Sequence, residues 1–191
     1  MSDRPILLIV PEQFETKRLF IRAPLYGDGS MVNAAIHESI EELRPWMPWA
    51  QQTPTIDDSE ENVRRARLKF MERSDLRLHL IDKETGEFIG GSGLHRIDWT
   101  VKKFEIGYWI RTSRSGNGLM TEAVDGITDF AINRLLANRI EIRCDSRNFR
   151  SMRIAERLGF TLEGILRSEK CDTTGALRNT IIFAKVRGQE F

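Results

Sequence analysis

The sequence predicts a mixed α+β domain built on one twisted sheet, and three observations carry that reading. Apolar residues alternate with polar ones at 76–80 and 104–110, as in half-buried strands, whereas 119–131 repeats its apolar residues at helical spacing. The elements run strand, helices, three antiparallel strands, helix, strand, helix, two strands. Finally, 191 residues, 40% hydrophobic and 30% charged, suit one soluble domain with a real core. No repeat, low-complexity tract or linker divides the chain, so 1–191 is expected to be a single domain with its core at about 13–187.

Residues 1–12 read as a loose lead-in. Glu15 to Arg22 reads as a strand, with Leu19 and Ile21 on one face, ended by Pro24 and the Gly27-Asp28-Gly29 cluster. Residues 30–44 have helical spacing through Met31, Ala34, Ala35 and Ile40. Trp46-Met47-Pro48-Trp49 follows, a stiff aromatic segment. It reads either as a loop pinned by its indoles or as a wall of a ligand cleft. A second helix spans Asp58 to Ser74, with Asp58 as cap, Glu61 completing a capping box, and Val63, Ala66 and Phe70 as its buried stripe.

Leu76 to Leu80 is a strand, Asp82 to Gly86 a hairpin turn, and Glu87 to Ile97 the returning strand. Gly90, Gly91 and Gly93 within it signal a bulge or a close backbone approach. Phe104 to Ile110 is the next strand, with Phe104, Ile106 and Tyr108 on one face and Glu105, Gly107 and Trp109 on the other. Gly118 to Leu135 is the best-marked helix, its stripe being Leu119, Ala123, Ile127, Phe130 and Ala131. Arg139 to Cys144 is a strand. Asn148 caps a helix that stops at Gly159. An extended segment from Phe160 to Cys171, broken near Gly164, turns at Thr173-Thr174-Gly175 into a last strand at Thr180 to Val186.

Charge and cysteine usage narrow the function classes. A net charge of +1 gives no global attraction to nucleic acid or membrane, so an anionic ligand must be held locally. Cys144 and Cys171 form no C-x-x-C and no metal-ligand spacing, and no metal site is expected. They read as buried thiols of a reducing compartment. The apolar run Ile6 to Val10 is too short for a signal core or a membrane span, and a cytoplasmic protein is expected.

The stretch from Gly107 to Ala123 reads as strand, glycine turn, helix. The N–H groups from about Gly116 to Met120 converge at the positive end of a helix, a nest suited to pyrophosphate. Thr121 stands where a dinucleotide fingerprint needs glycine, and no Gly-Lys-Ser/Thr run exists for a P-loop. Arg111 and Arg114 flank the nest and are expected to pair with phosphate oxygens.

Gly107-Tyr108-Trp109-Ile110, then Ser115-Gly116-Asn117-Gly118-Leu119-Met120-Thr121-Glu122-Ala123, resembles motif A of the GNAT N-acetyltransferases. Asn148-Phe149-Arg150-Ser151 and Ala155 to Phe160 resemble motif B. Thr16 to Arg22 and Trp46 to Trp49 are similar to the RimJ/RimL-type branch, the ribosomal-protein N-terminal acetyltransferases. The resemblance implies a GNAT fold, with a central, mostly antiparallel twisted sheet flanked by helices. It implies that the strands near 104–110 and 139–144 splay apart to admit the pantetheine arm of acetyl-CoA. In that picture pantetheine meets backbone groups near Trp109, Ile110 and Arg111, and the pyrophosphate sits on Ser115, Gly116, Asn117, Gly118, Leu119 and Met120. Asn148 is implied to bond pantetheine or an ordered water, and Ser151 to lie near the thioester sulfur. A homodimer is also implied.

The implied reaction is direct attack by a primary amine on the thioester of acetyl-CoA. The acceptor is either a protein N-terminal α-amine or a small amine such as an antibiotic, polyamine or amino-acid derivative, with Trp46 and Trp49 lining its cleft. A non-catalytic acyl-CoA-binding module is the reading from another class. The N–H near Trp109 or Ile110 is the candidate oxyanion donor, and Ser151 the donor to the departing thiolate. For the base, Glu105 lies on the strand entering the loop. The branch's glutamate falls by ungapped spacing on Lys170, one residue after Glu169, so a bulge is needed to bring Glu169 into place. His79 and His95 are further candidates. Ser115 replaces the usual glutamine or arginine of motif A, which leaves the backbone nest as the anion site.

Overall fold

A computed structural model describes residues 4–191, so the first three residues of the lead-in lie outside the described residues. The strands are β1 (Gln13–Glu15), β2 (Leu19–Arg22), β3 (Leu76–Asp82), β4 (Phe88–Asp98), β5 (Lys103–Ile110), β6 (Arg139–Asp145), β7 (Thr161–Cys171) and β8 (Leu177–Val186). Among the described residues they form one eight-stranded sheet in the order β1-β2-β3-β4-β5-β6-β8-β7. Neighbours are antiparallel except β5 and β6, which run parallel. The helices are α1 (Gly29–Leu43), α2 (Ile56–Glu72), α3 (Leu119–Arg134) and α4 (Phe149–Arg157). This is a mixed sheet flanked by helices, the arrangement that the motif resemblance implied. No helix among the described residues is long and apolar enough to cross a membrane.

Each helix is placed by its apolar stripe. The predicted stripe of α3 is buried throughout and shares one core with Leu19, Ile21, Leu78, Leu80, Phe104, Ile106, Ile140 and Ile142. Each such side chain contributes about 1.5–3 kcal/mol on burial. On the opposite face, Val32, Ala35 and Ile36 of α1 and Val63 of α2 pack with Ile81, Phe88 and Trp109. The sheet therefore has an α3 face and an α1/α2 face, and strand alternation assigns every sheet side chain to one of them.

The structure corrects several sequence expectations. The strand read at 15–22 is two strands, β1 and β2, folded back as a hairpin, with Phe14 opposite Ile21. The helix read from Asp58 starts at Ile56. Thr55 is its cap, accepting from Asp58 N–H, while the Asp58 carboxylate accepts from Thr55 N–H. Glu61 instead pairs with Arg65, one turn on. On α1 the buried face runs through Val32, Ala35, Ile36, Ser39 and Leu43, leaving Ala34 exposed. The last strand begins at Leu177 rather than Thr180. The break near Gly164 is a register shift, and a second shift lies between Leu166 and Lys170.

The glycines of β4 mark a close approach. A Cβ on Gly91 would lie 2.7 Å from the Trp109 indole nitrogen, and one on Gly90 would strike the Trp109 carbonyl. Bare backbone at these positions lets β5 carry a tryptophan flat against its neighbour. That indole fixes one wall of the site.

Candidate active site

The parallel pairing of β5 with β6 stops early. Lys103, Phe104 and Glu105 pair with Arg139, Ile140 and Glu141, and no pairing follows. Beyond that point the two strands diverge, and their facing backbone groups border a gap. The Arg111 N–H donates to Ile89 O at 2.8 Å, so the donor at 111 faces β4. Alternation along the strand turns the Trp109 N–H the same way and the Ile110 N–H toward the gap. Of the two oxyanion donors considered from sequence, Ile110 has the right direction. The Arg111 N–H, expected to meet pantetheine, is already used.

The gap leads to the glycine loop. Gly116 and Gly118 have φ of +81° and +75°, a conformation that costs a side-chain-bearing residue about 1–2 kcal/mol. Gly118 is the N-cap of α3 and its carbonyl accepts from Glu122 N–H, which leaves the N–H groups of residues 118–121 without partners inside the helix. The side chains of Leu119 and Met120 are buried, so these residues offer a ligand their backbone only. Both glycines meet the requirement of a phosphate nest.

Sequence reading missed the residue that braces this loop. Arg18, at the entry to β2, donates from Nη1 to Asn117 O at 3.0 Å and from Nε to Glu122 Oε2 at 2.6 Å. Glu122 also accepts from Arg18 N–H and from the Thr16 hydroxyl. No local signal joins residues about a hundred positions apart. Conversely, Arg111 and Arg114, expected to hold phosphate, turn to carboxylates. Arg111 pairs with Glu38 and Glu87, and Arg114 pairs with Glu87. Glu38 and Ser39 of α1 also accept from the N–H groups of Ser113 and Thr112, each at 2.9 Å. The loop between β5 and α3 is thereby tied to α1.

On the α1/α2 face the sheet opens into a cleft of about 810 Å³. It brings together Trp46, Trp49, Phe88, Trp109, Asn148 and Ser151, which come from four separate parts of the chain. The structure places both tryptophans of the Trp46–Trp49 segment at the border of this cleft. Trp49 packs edge-on to Trp109 with centroids 5.8 Å apart, and Trp46 and Trp49 stay 37% and 47% exposed at the rim. The Asn148 carbonyl caps α4, accepting from Ser151 N–H at 3.1 Å, and this holds Ser151 at the cleft. Tyr108 reaches across from β5 and donates its hydroxyl to Ser151 O at 3.1 Å. Burial raises the Tyr108 pKa, so the phenol stays protonated as that donor. Cys144 also borders the cleft; burial, with Asp145 beside it, pushes its thiol up to about 11, away from nucleophilic use.

Neither glutamate proposed as base lines the cleft. Glu105 is paired with Arg96 at 3.2 Å. The register shift before Lys170 does carry Glu169 to the acceptor face, where Thr180 donates to its carboxylate at 2.7 Å and Arg143 at 3.0 Å. The Thr180 hydrogen bond leads in holding Glu169 below the usual carboxylate range, which makes it a weaker proton acceptor. His79 is buried, bonded through Nδ1 to Asp28 at 2.9 Å, and its pKa is lowered by that burial. His95 lines the cleft and bonds through Nδ1 to Asp75 at 2.7 Å.

Comparison with known proteins agrees with this geometry. A family model described as an acetyltransferase (GNAT) domain matches residues 18–161. The chain is 37% identical over 91 residues to the uncharacterized N-acetyltransferase p20 of Bacillus licheniformis, a match spanning 48% of this chain and about half (51%) of that protein. It is 29% identical over 135 residues to the ribosomal-protein-serine acetyltransferase of Escherichia coli (strain K12), spanning 69% of this chain and 75% of that protein. In fold it superposes with a TM-score of 0.83 on RimL, a ribosomal L7/L12 alpha-N-protein acetyltransferase solved with coenzyme A. That likeness has 21% identity and covers 94% of this chain and 98% of the other.

Proposed function

The chain belongs to the GNAT acetyltransferase family, and from that premise we propose that it transfers the acetyl group of acetyl-CoA to the N-terminal α-amine of a protein. The observation that carries the reading is the unpaired stretch of β5 and β6, with the Gly116–Met120 nest at one end and the tryptophan-walled cleft on the acceptor face. The name of the E. coli relative, a ribosomal-protein-serine acetyltransferase, supports a protein acceptor, and the alpha-N-protein activity named for RimL supports its N-terminus. So does the exposed tryptophan rim, which leaves room for a chain to leave the cleft.

The residues divide the work as follows. The N–H groups at 118–121 receive the pyrophosphate, and the Asn148 amide nitrogen is the group that remains for pantetheine. The acceptor amine must be neutral to attack, because only then does it have a lone pair. Attack forms the N–C bond and places charge on the carbonyl oxygen, where the Ile110 N–H stabilises it. Collapse breaks the C–S bond, and the Ser151 hydroxyl donates a hydrogen bond to the departing thiolate. The thiols, expected to be buried, are half-buried at Cys144 and exposed at Cys171, and both being free suits a cytoplasmic setting. β7 is an edge strand with Leu162, Ile165 and Leu166 exposed, an apolar strip that supports a homodimer covering it.

Release of CoA thiol from acetyl-CoA tests the reading. A serine-initiated peptide should be turned over well, and the same peptide with a blocked N-terminus should give no release. Equal release with the blocked peptide would refute N-terminal acetylation. Ser151→Ala should slow turnover about tenfold, the worth of one hydrogen bond, while CoA affinity by calorimetry stays nearly unchanged. Normal turnover in that variant would remove Ser151 from the mechanism.

A further inference from the structure

We propose that His95, oriented by Asp75, is the group that takes the proton from the acceptor amine. The inference rests on the acetyl-transfer reading and assigns the base that the glutamates leave open. On the acceptor face, Arg77, Gly93 and Gly107 lie in one row across β3, β4 and β5. Two adjacent glycines strip that part of the sheet of side chains, and the His95 ring occupies the bare floor. A Cβ on Gly93 would lie 3.1 Å from His95 Cε1, and one on Gly107 would lie 3.0 Å from Cδ2 and 3.3 Å from Nε2. The imidazole therefore spans both glycines, beside the strand that carries Trp109 and Ile110.

Its partner sets the tautomer. Asp75 Oδ2 lies 2.7 Å from Nδ1, and a carboxylate there requires the proton on Nδ1, which places the lone pair on Nε2. The side chain is 28% exposed at the cleft, so an amine or one bridging water can reach it. The other charged groups around it have partners or different duties. Arg77 of β3 donates to Asn62, Asp58 closes the capping box of α2, and Glu105 of β5 pairs with Arg96. Arg143 of β6 holds Glu169, which Lys170 also approaches, and Asp172 of β7 holds Arg147. His79 also borders the cleft and is held through Nδ1 by Asp28, but its side chain is 3% exposed, so His95 is the cleft imidazole that an amine can reach. The protons balance: Nε2 takes the ammonium proton and the imidazolium returns it to solvent; the N–C bond forms, and as the C–S bond breaks the second proton on nitrogen is lost and the departing thiolate is protonated to CoA thiol.

The test uses the full chain with two named acceptors, a serine-initiated tetrapeptide amide and spermidine, followed by thiol release across pH. His95→Gln should lower kcat at least about 100-fold, the scale of lost general-base catalysis, with CoA affinity within about twofold of wild type. The dependence of kcat on pH should change shape in the variant, where only the ionisation of the acceptor amine remains to set it. Gly107→Ala pushes a methyl group into the ring and should lower kcat about tenfold, yet the double variant should be no slower than His95→Gln alone. Wild-type turnover and pH profile in His95→Gln would overturn the assignment. So would a parallel loss of CoA affinity, which marks a structural role, or multiplicative losses in the double variant. No turnover by the wild type on either acceptor would overturn the acetyl-transfer reading as well.

Discussion

Gly118→Val is expected to weaken CoA binding about 100-fold while leaving the domain folded. Gly118 sits at φ +75° and ψ 2° as the N-cap of α3, a conformation that valine avoids because both its Cβ branches crowd the backbone. Relief of that strain must rotate the peptide units at residues 117–119, and their N–H groups leave the common focus of the nest. Each charge-assisted hydrogen bond to phosphate contributes about 1.5–3 kcal/mol, so loss of one or two costs about 3 kcal/mol, which is about 100-fold in affinity. Gly118→Asn separates strain from charge, because asparagine tolerates the left-handed region and should bind CoA within about tenfold of wild type. Calorimetric titration with CoA reads both variants. Wild-type affinity in the valine variant would show that the pyrophosphate does not rest on this turn. Arg18 makes the effect local, since its bond to Asn117 O ties the other side of the loop to Glu122.

Asp28→Ala should be the most damaging change to stability outside the apolar core, costing about 3–5 kcal/mol in urea unfolding. Its carboxylate takes two hydrogen bonds from Arg22, at 2.7 and 2.8 Å, one from Leu25 N–H at 2.8 Å, and one from the buried His79 at 2.9 Å. Removing it leaves a buried imidazole without its acceptor and a half-buried guanidinium with the Ala23 carbonyl alone. Although burial pushes the Asp28 pKa up, the hydrogen bonds from Arg22 and His79 hold it well below the ordinary 3.8. The stability it contributes is complete above that ordinary value and is lost as pH falls toward the folded one. His79 acts in the same direction. Burial lowers its folded pKa below the ordinary 6.5, so below that pH the unfolded state binds the extra proton and stability falls. Wild-type stability should therefore decline first below about pH 6.5 and again below pH 4, where the Asp28→Ala curve should converge on it. Parallel curves across that second window would show that Asp28 is not the acid-sensitive group. The consequence reaches the site, because Asp28 precedes α1, whose Glu38 and Ser39 hold the loop after β5.

Features carried by short stretches of chain were legible from residues alone. The apolar stripe of α3, the glycine turn before it, and the Asn148–Ser151 cap depend on spacings of three or four residues, which backbone geometry converts directly into faces and hydrogen bonds. The glycines of β4 announced a close approach because only a missing Cβ allows one. The order of elements sufficed for one mixed sheet, and motif spacing for the family.

What the sequence could not supply was pairing between distant side chains. Arg111 and Arg114 look like phosphate ligands beside a glycine loop, yet sheet register and the docking of α1 bring Glu38 and Glu87 to them first. Glu169 needed a bulge to reach the acceptor face, and the bulge that delivers it also delivers Thr180 and Arg143 to its carboxylate. Arg18 braces a loop about a hundred residues away, and Asp75 meets His95 only because β3 and β4 are antiparallel neighbours. The sequence by itself determined most of the elements, the sheet class, the glycine turn and the family, because local backbone geometry and hydrophobic period act over a few residues. Tertiary structure alone decided which charges are already neutralised and which side chains border the cleft, because a charged side chain takes whichever partner the assembled fold places within reach.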